Sequence, residues 1–132
     1  MKPIIFKYKL VAGRWSSMVS AGLELAGIWQ PLEMYVDSGA AYTILAPQFA
    51  QELGFDWTTG PKIFAQVGDG SLIPIWLHRL RMQIGPSRFK STVGFSEQLR
   101  VGFHLLGRLD VFEHFKICFH EKRRMVSFQP LD

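Results

Sequence analysis

Asp37-Ser38-Gly39-Ala40 closes the apolar run from Ile28 to Val36, placing a carboxylate, a hydroxyl and two very small residues at the end of what reads as a buried strand. A carboxylate just before Gly-Ala is held by a tight turn whose backbone can come close to whatever faces it. Ser38 adds a hydroxyl able to bond across such a turn. Farther along, Leu105-Leu106-Gly107-Arg108 again runs apolar residues into a glycine.

Working outward from Asp37, the flanking segments read mostly as sheet. Ile4 to Val11 sets Ile4, Phe6, Tyr8 and Leu10 on one face and reads as one half-buried strand, broken by Gly13-Arg14-Trp15-Ser16-Ser17. Met18 to Leu25 and Gln30 to Val36 are the next strands. Pro47 to Leu53, with Phe49, Ala50 and Leu53 on one stripe and Gly54 after it, is a short amphipathic helix that must pack on the sheet. Lys62 to Val67 and Leu72 to Ile84 form a hairpin about Gly68-Asp69-Gly70, with Pro74 marking an edge. Arg88 to Gly94 follows the Gly85-Pro86-Ser87 turn. After Gly107, the spacing of Leu109, Val111, Phe112 and Phe115 predicts a helix of about two turns. Phe115 to His120 and Arg124 to Phe128 close the chain as a hairpin. The fold class this describes is all-β, a closed or nearly closed barrel with one or two short helices.

At 132 residues and 48% apolar content, the chain can bury one core and not two, so residues 1–132 are expected to form a single domain. The formal charge of +4 is spread over separate segments rather than one block, which favours a solvated basic face over a nucleic-acid site. Cys118 has no partner for a disulfide and reads as a buried thiol. No run of about 18 apolar residues is present, so no membrane partner and a cytoplasmic location are expected. His78, His104, His114 and His120 lack zinc spacing, Ser38 lacks a nucleophile-elbow context, and no glycine loop precedes a helix as a nucleotide would require. No metal or cofactor is therefore expected.

A lone aspartate near neutral pH is a weak acid and a weak base. Peptide hydrolysis by carboxylates alone needs two of them sharing one proton. The chain carries one Asp-Ser-Gly, and two-fold symmetry would bring Asp37 of each subunit against its mate.

The ordered set of motifs resembles the retroviral-type, or retropepsin-like, aspartic proteases and their small bacterial relatives. Asp37-Ser38-Gly39-Ala40 resembles the family's catalytic turn, and Leu32-Glu33-Met34-Tyr35-Val36 the strand that delivers it. Thr43-Ile44-Leu45 with Phe49 to Gly54 resembles the segment after that turn. Val67-Gly68-Asp69-Gly70-Ser71 falls where the family carries its flap, and Leu105-Leu106-Gly107-Arg108 resembles its apolar-glycine turn. The resemblance implies a retropepsin-like acid protease barrel with one catalytic turn per protomer, active as a homodimer on an extended peptide or protein.

It implies Asp37 as catalytic acid and base, with Ser38 bracing the two active-site turns and Gly39 and Ala40 leaving room for substrate. Val67, Gly68, Asp69 and Gly70 would be the flap, with Val67, Ile73 and Ile75 lining apolar pockets. Leu105, Leu106 and Gly107 would be the support beneath the catalytic turn. Two features depart from the family pattern. Asp69 stands at the flap tip where many relatives carry a small or apolar residue, which would bring further carboxylates toward the cleft. The segment before Ile28 is longer than in minimal viral enzymes, leaving either the N-terminal strand or Phe128 to Asp132 to form the interface. The alternative reading is a dimeric peptide-binding or regulatory module with weak or absent hydrolysis.

Overall fold

The computed structural model of the chain describes residues 2–99 and 102–131. In chain order its strands are β1 (Ile4–Lys7), β2 (Lys9–Val11), β3 (Arg14–Ser16), β4 (Met18–Leu25), β5 (Ile28–Val36) and β6 (Thr43–Leu45). They continue as β7 (Lys62–Gln66), β8 (Leu72–Ile84), β9 (Ser87–Phe95), β10 (His104–Leu106), β11 (Phe115–His120) and β12 (Met125–Pro130). One α-helix, α1 (Gln48–Glu52), and a 3-10 turn at Trp57–Thr59 complete the regular structure. No helix among the described residues is long and apolar enough to cross a membrane.

Six strands form a closed ring. Antiparallel pairing of β4 with β5 is set by the Ala26-Gly27 turn, where both residues take positive φ, as a two-residue hairpin loop matched to strand twist requires. From β5 the order runs through β10, β6, β9 and β8, and β8 returns to β4 where Gly22 faces Gln83 and Leu23 faces Met82. Closure removes the exposed edges an open sheet would leave. The ring interior is filled by alternate residues of each strand, among them Val19, Leu23, Met34, Met82, Ile84 and Phe95, all without solvent exposure. β7 hangs on β8 outside the ring, and its Ala65 joins Ile73 and Ile75 of β8 and Ile44 of β6 in a smaller core.

A second sheet, in the order β1-β12-β11, packs Val126, Phe128 and Phe115 into the main core. Phe128 takes edge-on contacts from Phe6 at 5.7 Å and Phe115 at 5.4 Å between ring centroids. The fold is thus all-β, a retropepsin-like barrel with a short helix, as the sequence implies.

Several local expectations are corrected. The strand expected over Ile4 to Val11 is broken at Tyr8, whose N–H donates to Arg124 O at 2.7 Å and whose hydroxyl donates to Glu121 Oε1 at 3.1 Å. Burial and Glu121 push the Tyr8 phenol up to about 12, so it remains a donor. Beyond the break the chain starts a separate β2–β3 hairpin, Leu10 turns outward at 59% exposure, and Arg14 to Ser16 is strand rather than a break. Cys118 is half-buried rather than buried.

The helix expected after Gly107 does not form. Phe112 N donates to Arg108 O at 2.9 Å, one turn that is not propagated, because Asp110 takes a φ of 64° and Phe115 already belongs to β11. Asp110 is held there by Thr92 N–H at 2.9 Å and Arg79 Nη1 at 2.6 Å. Of the segment proposed as interface strands, Phe128 to Pro130 lies in β12 within the protomer and Leu131 N donates to His114 O, while Asp132 lies outside the described residues.

Candidate active site

Parallel pairing of β5 with β10 sets Tyr35 against Leu105 and Val36 against Leu106, so the ends of the two strands emerge side by side. Asp37 N donates to Leu106 O at 3.0 Å, which fixes where the carboxylate leaves the sheet. Asp37 Oδ1 then accepts from Gly39 N at 2.9 Å, and Ala40 N donates to Asp37 O at 3.1 Å, winding the turn about its own carboxylate. A Cβ on Gly39 would stand 3.2 Å from that oxygen. Oδ2 takes no hydrogen bond from the described residues, and Asp37 is half-buried.

The second turn cradles the first. Arg108 N donates to Ala40 O and Leu109 N to Ala41 O, both at 2.9 Å. Gly107 N donates to Thr43 Oγ1 at 3.1 Å, and Thr43 is fully buried. The crossing is so close that a Cβ on Gly107 would lie 2.3 Å from Tyr42 O and 2.9 Å from Thr43 N, so only glycine fits. Arg108 Nη1 donates to Ser38 O at 2.6 Å, clamping the exposed side of the Asp37 turn with a charge-assisted bond. Leu106 and Gly107 lie buried beneath; Leu105 reaches the cleft above.

Over Asp37 stands the β7–β8 hairpin. Its tip is wound by Gly70 N donating to Val67 O at 2.8 Å and Val67 N donating to Ser71 O at 2.9 Å. Asp69 Oδ1 accepts from Ser71 N at 2.9 Å and from Ser71 Oγ at 2.5 Å, so its carboxylate braces the tip. Two clefts open on either side, of about 420 Å³ and about 480 Å³, and both are lined by Asp37, Val67, Gly68 and Leu105. The first adds Tyr35, Asp69, Ile73, Leu99 and Phe103; the second adds Gly39, Ala40, Tyr42 and Phe64. Ile75, expected as a lining residue, has no exposure and belongs to the smaller core. A larger cavity of about 590 Å³ beside His104 does not include Asp37.

The structure therefore brings Asp37, Gly39, Ala40, Val67, Gly68, Asp69 and Leu105 around one pair of clefts. Ser38 and Gly70 lie at the exposed outer corners of their turns. The brace from Arg108 and the buried Thr43 hydroxyl carry no assigned part in the sequence reading. A threonine inside the apolar Thr43-Ile44-Leu45 run was the available signal, since a buried hydroxyl needs a partner. Among the described residues no three His, Cys, Asp or Glu side chains gather as a metal site would need.

Residues 21–103 match the sequence pattern of the aspartyl protease family, a span that contains the Asp37 turn and the hairpin over it. The chain belongs to the aspartyl protease family. Among solved structures it is similar to a retropepsin-like aspartic protease from Rickettsia conorii, at 21% identity and a TM-score of 0.63, covering 96% of this chain and 89% of that one. It is also similar to the EIAV protease solved with an inhibitor, at 15% identity and a TM-score of 0.56, covering 78% of this chain and 90% of that one. At these identities the likeness is one of fold. The comparison with curated proteins gave no match. In this chain Asp37 stands at the end of a barrel strand, under the β7–β8 hairpin and beside the Gly107 turn.

Proposed function

We propose that the chain is an aspartic endopeptidase active as a homodimer, with Asp37 from each protomer forming the catalytic dyad. One observation carries the reading: Asp37 sits where two clefts meet beneath a hairpin, so an extended peptide lying across both would pass its backbone over the carboxylate. Each protomer supplies a single such carboxylate. Ser38 is exposed beside it, and its hydroxyl makes no hydrogen bond within the protomer's described residues, which leaves it available to the partner's turn.

Two facing carboxylates cannot both ionise easily, so the dyad holds one shared proton. The ionised Asp37 takes a proton from water as the water oxygen bonds to the scissile carbonyl carbon, while the protonated Asp37 of the mate gives its proton to the carbonyl oxygen. Collapse of the resulting diol breaks the carbon–nitrogen bond as a proton passes to the leaving amine. No bond to the enzyme forms. The β7–β8 hairpin supplies strand-like backbone pairing to the substrate, and its glycines allow it to open and close.

Cleavage of a diverse peptide library between acidic and neutral pH by wild type and Asp37→Asn, with oligomeric state recorded, tests this. Turnover by wild type and a loss of at least about a hundredfold in Asp37→Asn are expected. A stable dimer that binds peptides and leaves them intact would replace the proposal with the binding-module reading.

A further inference from the structure

We propose that the end of the molecule formed by the β2–β3 hairpin and the turn from Glu121 to Arg124 binds the surface of an anionic membrane. The two elements are one unit. Tyr8 ties them, donating its N–H to Arg124 O at 2.7 Å and its hydroxyl to Glu121 Oε1 at 3.1 Å, and the Arg124 guanidinium lies 4.3 Å from the Trp15 ring centroid. Leu10 pairs with Trp15 across the hairpin, so both side chains lie on one face. That face is apolar and outward, with Leu10 59% and Trp15 47% exposed, and the two-stranded sheet pairs with neither of the others.

Beside it, on the turn whose Arg124 lies over Trp15, stand Lys122, Arg123 and Arg124, all exposed, while strand alternation puts the exposed Arg14 on the other face of the hairpin. The carboxylate of the same turn, Glu121, is engaged by Tyr8, and Lys9 and Glu33 neutralise each other. An exposed tryptophan and leucine beside the cations of the adjoining turn match a bilayer interface, where indole sits at headgroup depth, aliphatic side chains reach below it and basic groups meet phosphates. This surface does not suit a nucleic acid. Leu10 offers no face for a base, and the Trp15 ring already carries Arg124. Contact of this kind is peripheral and needs no spanning segment. None of these residues lines the clefts beside Asp37.

Cosedimentation of the full chain with vesicles of phosphatidylcholine mixed with phosphatidylglycerol tests the proposal, with phosphatidylcholine vesicles and a duplex oligonucleotide in parallel. The chain should pellet with the mixed vesicles alone, and less so as salt is raised. Leu10→Ser with Trp15→Ser should abolish binding. Lys122→Gln with Arg123→Gln changes side chains that make no hydrogen bond among the described residues, and should weaken binding by roughly thirtyfold. Asp37→Asn should bind as wild type does, so loss of the peptidase reading would leave this one standing. Failure to pellet with mixed vesicles, capture of the oligonucleotide in their place, or full binding by both double variants would overturn it.

Discussion

At the scale of single residues, the site depends on close approach more than on burial of charge. Gly107 is the clearest case, since an added methyl group would meet Tyr42 O at 2.3 Å and the backbone there cannot withdraw without breaking the Arg108 and Leu109 bonds to the Asp37 turn. Gly107→Ala should therefore cost about 3 kcal/mol, read as a lower denaturant midpoint at unchanged slope. Arg108 acts on the same turn from outside. Because it is exposed, Arg108→Ala should cost only about 1 kcal/mol of stability, while a loosened Asp37 turn lowers kcat more than it changes KM. His104 contributes a pH dependence. Burial pulls its imidazole below the ordinary value of about 6.5, and its Nδ1 accepts from Ala46 N at 3.1 Å, so the folded chain holds the ring neutral. Below that ordinary value the unfolded chain takes a proton the folded chain declines, and stability falls as pH drops. Glu33 and Glu52 line the cavity beside the ring. Thermal midpoints should decline from neutral toward mildly acidic pH in wild type, and less so in His104→Asn.

At the scale of elements, the hairpin over the cleft is braced by its own acid. The carboxylate that the sequence marked as a threat to the dyad spends one oxygen on Ser71 N and Oγ. Asp69→Ala should speed hydrogen exchange at the Ser71 amide and raise KM several-fold, because the tip would pay more entropy to close over substrate. The hairpin itself, β4, most of β5 and α1 were legible because each carries a periodic apolar pattern, although β5 begins at Ile28 rather than at Gln30 and runs through Pro31. What escaped were elements defined only by their neighbours. β6 and β10 have three residues each, too few to show alternation, and exist because they fill the ring between β5 and β9. The helical spacing after Gly107 was real, with Val111 and Phe115 both buried, yet Asp110 found better partners in Thr92 and Arg79 than a helix could offer. Burial first raises the Asp110 carboxyl, and the Thr92 and Arg79 bonds outweigh this and hold it low, so that anchor should persist until pH falls below the usual carboxylate range.

At the scale of the whole molecule, the closed ring fixes two turns against each other. Asp37 and its glycine neighbours were readable because their roles depend on local backbone. The clefts were not, since Tyr35, Leu99 and Phe103 line one and Phe64 the other only through tertiary folding. The proposed Asp37 dyad makes activity a property of pairs, so it should fall faster than protein concentration on dilution through the dimer dissociation range. The most direct measurement mixes wild type with Asp37→Asn at fixed total concentration, allows protomers to exchange, and follows peptide cleavage against the wild-type fraction. A dyad built from two chains predicts a rate that follows the square of that fraction, about a quarter of the full rate in an equal mixture. A linear dependence, or cleavage that survives in pure Asp37→Asn, would contradict it.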